Sequence, residues 1–329
     1  MAARVLRFVP TALLGLACFA CFAFFGGCAD LEGLTSPNAA REGLDAAAAL
    51  DAPMTTDASL TEADVARPTT CRWDAPFASV RAVASPGPDD NGVAAAELSP
   101  DELVVYFQVL KTNDSGYDLY RAERKDRSSV FDMSLRTPLA ELNDPTSNET
   151  NLAVRADGLL TVFSTNRGDA AMQSLYTAQR GSLAMPFSTP TQILTLGVPP
   201  EATSPFITRD GSELWFAVAS GTDRSIYVSP ITAVGFGAAT PRPDVPGWIP
   251  VLSDDKLTIY YALGQSSLDN AVRVAHRNGP LEPFAASSLV REVNQGGDAP
   301  SWLSPDQCRL YITSRRDGKP KVLVAERTP

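Results

Sequence analysis

LSPDELVVYF, Leu98–Phe107, returns near the other end of the chain as LSPDQCRLYI, Leu303–Ile312. Three fainter copies lie between them. Each copy sets an aspartate in a turn, at Asp101, Asp157, Asp210, Asp255 and Asp306, and β-forming residues four and six positions later. Those pairs are Val105 and Phe107, Thr161 and Phe163, Leu214 and Phe216, Ile259 and Tyr261, and Leu310 and Ile312. Side chains two apart on a strand share a face, and aspartate shapes tight turns through its own backbone, so every copy reads as turn then strand. The aspartates stand 56, 53, 45 and 51 residues apart.

A second strand follows in each copy: DLYRA from Asp118, SLYTA from Ser174, SIYVS from Ser225, AVRVA from Ala271 and KVLVA from Lys321. Apolar and polar residues alternate there with the period of a half-buried strand. Phe131, Phe187, Phe236 and Phe284 then open a further extended stretch, and a less clear strand precedes each aspartate. Four short antiparallel strands at this repeat length predict an all-β chain and a β-propeller of five blades, with six as the alternative. The last copy lacks its Phe-led strand, while a spare one, PFASVRAVASP with Phe77, stands ahead of the first. That N-terminal strand is expected to complete the last blade and close the ring, leaving no open edge.

Residues 1–27 read differently. Arg4 and Arg7 precede a 15-residue apolar run, Thr11 to Phe25, and small residues lead to Cys28. This is the layout of a cleaved signal peptide. The Gly26-Gly27-Cys28 junction resembles a bacterial lipobox, which implies acylation of Cys28 and a membrane tie made only of lipid. Phe25 departs from the leucine usual in that pattern. Ala29 after the cysteine resembles lipoproteins sorted to the outer membrane, facing the periplasm or the cell surface.

From 28 to 70 the chain has eight acids, two arginines and no aromatic residue. Such a composition cannot bury enough apolar surface to fold and is expected to act as a tether. The propeller is expected over 71–329. Cys18 and Cys21 leave with the leader, so Cys71 and Cys308 remain, and both fall on the composite blade. In an oxidising compartment they are expected to pair as a disulfide, two unrelated buried thiols being the plainer alternative.

The net charge is −10, and loss of the leader's two arginines takes it to −12. Nucleic acid is therefore a poor partner. No HExxH, CxxC, Walker or dinucleotide glycine pattern occurs, so no metal or cofactor is expected. The single histidine, His276, has no nucleophile motif beside it.

The Ser-Pro-Asp turn, Leu-x-Phe and Asp-Leu-Tyr-x-Ala-x-Arg pattern resembles the WD40-like repeats of TolB-type propellers of the bacterial envelope. The likeness runs from 76 to 329. It implies a fold rather than an activity. TolB itself is similar to a six-bladed ring behind a small α/β domain, so its role as a translocation partner does not carry over to five copies and an acidic tether.

Propeller ligands usually sit where loops and inner strands meet the central channel. Glu149, Glu201, Asp244 and Asp298 stand just ahead of the expected inner strands, with Glu97 a poorer match. Converging, they would form an acidic ring for a sugar or cation. A plainer reading has them holding neighbouring backbone amides between blades, repeated because the blade repeats. The sequence thus supports a monomeric, lipid-anchored envelope module that binds or scaffolds a protein or glycan. The alternative is a glycan-active hydrolase using two or three of those carboxylates. SRRDGKP, Ser314–Pro320, is a basic hairpin in an acidic chain and reads as a solvated turn or a docking spot.

Overall fold

The computed structural model describes residues 70–111, 116–169, 172–199, 201–221 and 223–328. The proposed leader, Cys28 and all but the last residue of the 28–70 tether lie outside them. Strand β1 (Ser79–Ala84) comes first, followed by blade 1, β2 (Asp90–Leu98), β3 (Val104–Lys111), β4 (Tyr117–Glu123) and β5 (Thr137–Pro138). Blade 2 holds β6 (Glu149–Val154), β7 (Leu160–Thr165), β8 (Ser174–Gln179) and β9 (Thr191–Gln192). Blade 3 holds β10 (Ala202–Ile207), β11 (Glu213–Ser220), β12 (Asp223–Thr232), β13 (Gly235–Phe236) and the extra β14 (Thr240–Pro246). Blade 4 holds β15 (Trp248–Leu252), β16 (Thr258–Leu263), β17 (Ala271–His276) and β18 (Ser288–Leu289). Blade 5 comprises β19 (Ala299–Leu303), β20 (Arg309–Ser314) and β21 (Lys321–Glu326).

Five antiparallel sheets result, and β1 pairs with β21 to complete the fifth. The ring is a five-bladed β-propeller closed by its N-terminal strand. Cys71 and Cys308 are joined as a disulfide with Cα atoms 5.1 Å apart, a link from just ahead of β1 to the turn between β19 and β20. The fourth strand of blades 1, 2 and 4 is reduced to two residues. Blade 3 differs because β12 pairs with both β13 and β14.

The aspartates shape the turns. Asp101 accepts the amide of Leu103 at 3.1 Å, Asp157 that of Leu159 at 2.9 Å, and Asp210, Asp255 and Asp306 those of Ser212, Leu257 and Cys308. The phenylalanines Phe77, Phe131, Phe187 and Phe284 are buried plugs, each under an arginine that follows the third strand of its blade. These arginines reach across the seams. Arg124 donates to the Tyr311 hydroxyl at 2.8 Å, Arg180 to Tyr106 at 3.0 Å and Arg327 to Tyr260 at 2.9 Å. Each also donates Nε to a turn carbonyl of its own blade, Glu102, Gly158 or Gln307.

Every inner strand carries a bulge, and in four blades it contains a non-glycine residue in the left-handed region: Ala95, Asn151, Ser204 and Ile249. In blade 5 the equivalent residue is Pro300, whose ring forbids a positive φ. Its bulge forms without one. The bulges aim inner-strand backbone at the ring axis, and so build the channel wall.

Candidate functional site

The channel widens at the end where the inner strands begin. There a cavity of ≈ 200 Å³ is walled by the inner strands of blades 1, 2, 4 and 5 and by second-strand and hairpin residues such as Gln108, Tyr117, Gln173 and Thr313. Beyond it the axis narrows to a pocket of ≈ 30 Å³ at the bulges and ≈ 20 Å³ at the far end. Those volumes hold roughly one or two waters and no larger ligand. Ser204 Oγ, buried without a protein partner, lies at the middle pocket. A ligand held in the channel must therefore use the wide mouth.

Hydrogen bonds between blades hold that mouth in shape. The bulge amides of Ala95, Asn151 and Ser204 donate to Thr313 Oγ1, Gln108 Oε1 and Ser164 Oγ of the preceding blades, at 2.9, 2.7 and 3.2 Å. Ala217 and Ala262 occupy the equivalent positions opposite Ile249 and Pro300. Alanine suits the latter case, since Pro300 has no N–H to satisfy. Ile249 is a β-branched residue at φ 54 on the cavity wall, a conformation that costs on the order of 1–3 kcal/mol and tends to occur at functional sites. Beside it Trp248 donates Nε1 to Asn270 Oδ1 at 3.0 Å, and the Arg224 guanidinium lies 4.1 Å from its ring centroid.

The four carboxylates singled out from the sequence do not meet at this mouth. Glu149 and Asp298 occupy equivalent places, but their side chains are 0% exposed and turned to arginines of their own blades. Glu149 accepts from Arg167 at 3.0 Å, Thr165 at 2.8 Å and the Asp144 amide at 3.2 Å. Burial pushes its carboxyl up, against the pull of Arg167 and Thr165. Asp298 accepts from Arg316 at 3.2 Å and the Gln295 amide at 2.6 Å.

Asp244 stands four residues ahead of β15, but on β14, an outer strand paired with β12. It pairs with Arg242 at 2.7 Å and accepts the Phe284 amide at 2.8 Å. Burial opposes its charge, yet those bonds hold its carboxyl below the usual range. Glu201 is half-buried at the start of β10, where its carbonyl accepts the Ala219 amide. None of the four lines a described channel cavity. The plainer reading, amides held between blades, fits Asp244 alone, which takes the Phe284 amide of blade 4, while Glu149 and Asp298 take amides a few residues ahead of themselves.

Of the acids singled out from the sequence, the one that lines the channel is Glu97, the poorest match by position. Burial pushes it well above the usual range, against attraction from Arg209 and a bond from the Val154 amide. Arg209 is itself paired with Asp254 at 2.6 Å. A register signal marks Glu97 in the sequence. Four residues before the turn aspartate the other copies have Ala153, Phe206, Val251 and Trp302, so Glu97 is an acid at an apolar position.

No protein-family model and no curated protein matches the chain. Solved structures match it by shape. TolB from Acinetobacter baumannii aligns at 14% identity and a TM-score of 0.38, over 71% of this chain and 43% of TolB. The chain thus spans less than half the length of that protein. The catalytic domain of a Coprinopsis cinerea GH62 α-L-arabinofuranosidase aligns at 11% identity and a TM-score of 0.51, over 79% of this chain and 98% of the enzyme domain. The Podospora anserina α-L-arabinofuranosidase PaAbf62A, in complex with cellotriose, gives 10% and 0.51, over 80% and 98%. Identities this low speak for shared fold alone.

Proposed function

We propose that this propeller is a glycan-binding module of the bacterial cell envelope, held at a membrane by acylation of Cys28. One observation carries the binding part. The widest opening on the axis, ≈ 200 Å³, joins two aromatic side chains, Tyr117 and Trp248, to neutral amides and hydroxyls such as Gln173, Asn270 and Ser301. Aromatic surface with a few convergent polar groups is what a sugar ring asks of a site. The Podospora enzyme of similar fold holds a cellotriose. The envelope part rests on the leader and on the Gly26-Gly27-Cys28 junction.

Binding without hydrolysis is the better account of this mouth. Glycosidases generally flank the bond with two carboxyl groups, about 5–5.5 or about 6.5–9.5 Å apart. Among the described residues the mouth cavity is lined by no Asp or Glu. Glu97 and Asp254 share the far end, where ≈ 20 Å³ leaves no room for a sugar.

Titration calorimetry of the full chain against an oligosaccharide panel tests the reading. A saccharide that binds the wild type and binds Trp248→Ala at least about tenfold more weakly is expected. A panel that gives no heat with the wild type would sink it. The anchor is tested separately by the intact mass of membrane-fraction protein, where Cys28→Ser is expected to remove the acyl increments.

A further inference from the structure

The two arginines of the β20–β21 hairpin have different surroundings. Arg316 is turned inward, donating to Asp298, to Ser314 Oγ at 2.8 Å and to the Val293 carbonyl at 2.7 Å. Blade 2 repeats that arrangement, with Arg167 on Glu149 and on the Leu142 carbonyl. The residue before it is not repeated. In blade 2 this is Asn166, whose Oδ1 accepts the Asn148 amide at 2.7 Å and ties the inner-strand approach to the hairpin. In blade 5 it is Arg315, and the residue opposite becomes Gly297 at φ +66.

A Cβ at Gly297 would stand 3.0 Å from the Ser267 carbonyl and 3.5 Å from Arg315 Cβ, so glycine is what lets these chains converge at the rim. Arg315 is half-buried and lines the mouth cavity. Among the described residues its guanidinium has no hydrogen bond and no ion pair. Such a group has given up part of its hydration with no acceptor among the described residues in return.

The local charge balance reinforces the point. Arg224 lies over Trp248 on the same wall. The nearby acids are already engaged: Glu149 by Arg167, Asp298 by Arg316, and Asp269 by the amides of Gln265 and Ser266 at 3.1 and 2.6 Å. A chain of net charge −10 thus places Arg315, and no described carboxylate, on the wall of the widest opening on its axis. Cavity walls concentrate such a field and attract anions.

We propose that the ligand of the mouth cavity carries a carboxylate, so that the sugar bound is a uronic acid whose acid group is taken by Arg315. The planar guanidinium fork matches a carboxylate in two parallel hydrogen bonds. Gln173, Asn270 and Ser301 line the same cavity at the reach of ring hydroxyls. The inference rests on the glycan-binding reading and adds the chemical class to it.

The test is calorimetry of the full chain with galacturonate, glucuronate and mannuronate trimers, each as free acid and as methyl ester. At least one acid is expected to bind about tenfold or more tightly than its ester, the difference a charge-assisted bond makes. Arg315→Gln is expected to bring that ratio to about one and to leave the melting temperature unchanged. Arg315→Lys keeps the charge without the fork and should fall between. Equal affinity for acid and ester, or a preference that survives Arg315→Gln, overturns the inference and spares the glycan-binding reading. If neither acids, esters nor neutral sugars bind, both fall together.

Discussion

The seam between blades 2 and 3 and the seam between blades 5 and 1 do the same job with opposite chemistry. At the 5/1 seam Arg124 bonds Tyr311, while Glu102, buried in the turn of blade 1, takes Arg309 at 2.8 Å and the Tyr311 hydroxyl at 2.7 Å. At the 2/3 seam the arginine position is Ile231 and the tyrosine position is Val162. Both lie in one apolar cluster with Phe216 and Phe236. The partners have changed together. Replacing a buried polar pair by well-packed apolar residues is frequently neutral in stability, whereas removing one partner is not. What the blades share is therefore a distance to be spanned, not a set of residues.

The largest effect should come from breaking the polar seam on one side. Arg124 and Glu102 have side chains 0% exposed. Arg124→Ala leaves Tyr311 and the Glu102 carboxylate short of a buried donor, with an expected cost of about 3–5 kcal/mol in urea unfolding. A loss under about 1 kcal/mol would mean that Arg309, Arg127 and the Tyr311 hydroxyl satisfy Glu102 without Arg124.

Next is the closing blade. Converting both Cys71 and Cys308 to Ser opens a link with a sequence separation of 237 and is expected to cost about 2–5 kcal/mol. Hydrogen exchange should then show β1 and β21 losing protection ahead of either seam.

Rebuilding the arginine bridge at the apolar seam should matter less. Ile231→Arg and Val162→Tyr are each expected to destabilise by about 1–3 kcal/mol, through overpacking or an unpaired polar group. The double variant should recover part of that loss, with a coupling of about 0.5–3 kcal/mol. Strict additivity would show that the two positions do not face one another.

The smallest effects are those of pH. Burial raises the hydroxyls of Tyr260 and Tyr311 above the ordinary tyrosine value. A group whose folded value is raised keeps its full contribution below the unfolded value and loses it as pH climbs, so stability should decline above about pH 10. The same sign applies to Glu97, raised by burial: its contribution is intact below about pH 4.3 and falls away at higher pH. Glu97→Gln is therefore expected to raise the melting temperature at neutral pH, with the gain disappearing near pH 4.

Five blades, the turn aspartates and the closing strand were legible in the sequence because they depend on short-range alternation and on a period. The destination of the carboxylates was not. Glu149 and Asp298 were found at the expected inner strands, but an arginine ten or more residues away turned each from the mouth, and that requires knowing which hairpin folds back. Asp244 misses the channel for a different reason. PRPDVPGW looks like a loop leading inward, whereas blade 3 pairs Thr240–Pro246 against β12 as β14. Glu97, named only as a poorer match, and Arg315, named only within a basic hairpin, would have stood out by asking where one copy breaks the chemistry of the others.

The disulfide also settles how the domain would bear a load. A pull from the N-terminal side of Cys71 does not reach β1 first, because the covalent link passes it to Cys308 and so to the turn between the two innermost strands of blade 5. Strand β1 would hang slack between two anchored points. Oxidised, the ring would be gripped near its hub, and reduction would turn the same pull into peeling of β1 from the rim, one hydrogen bond at a time.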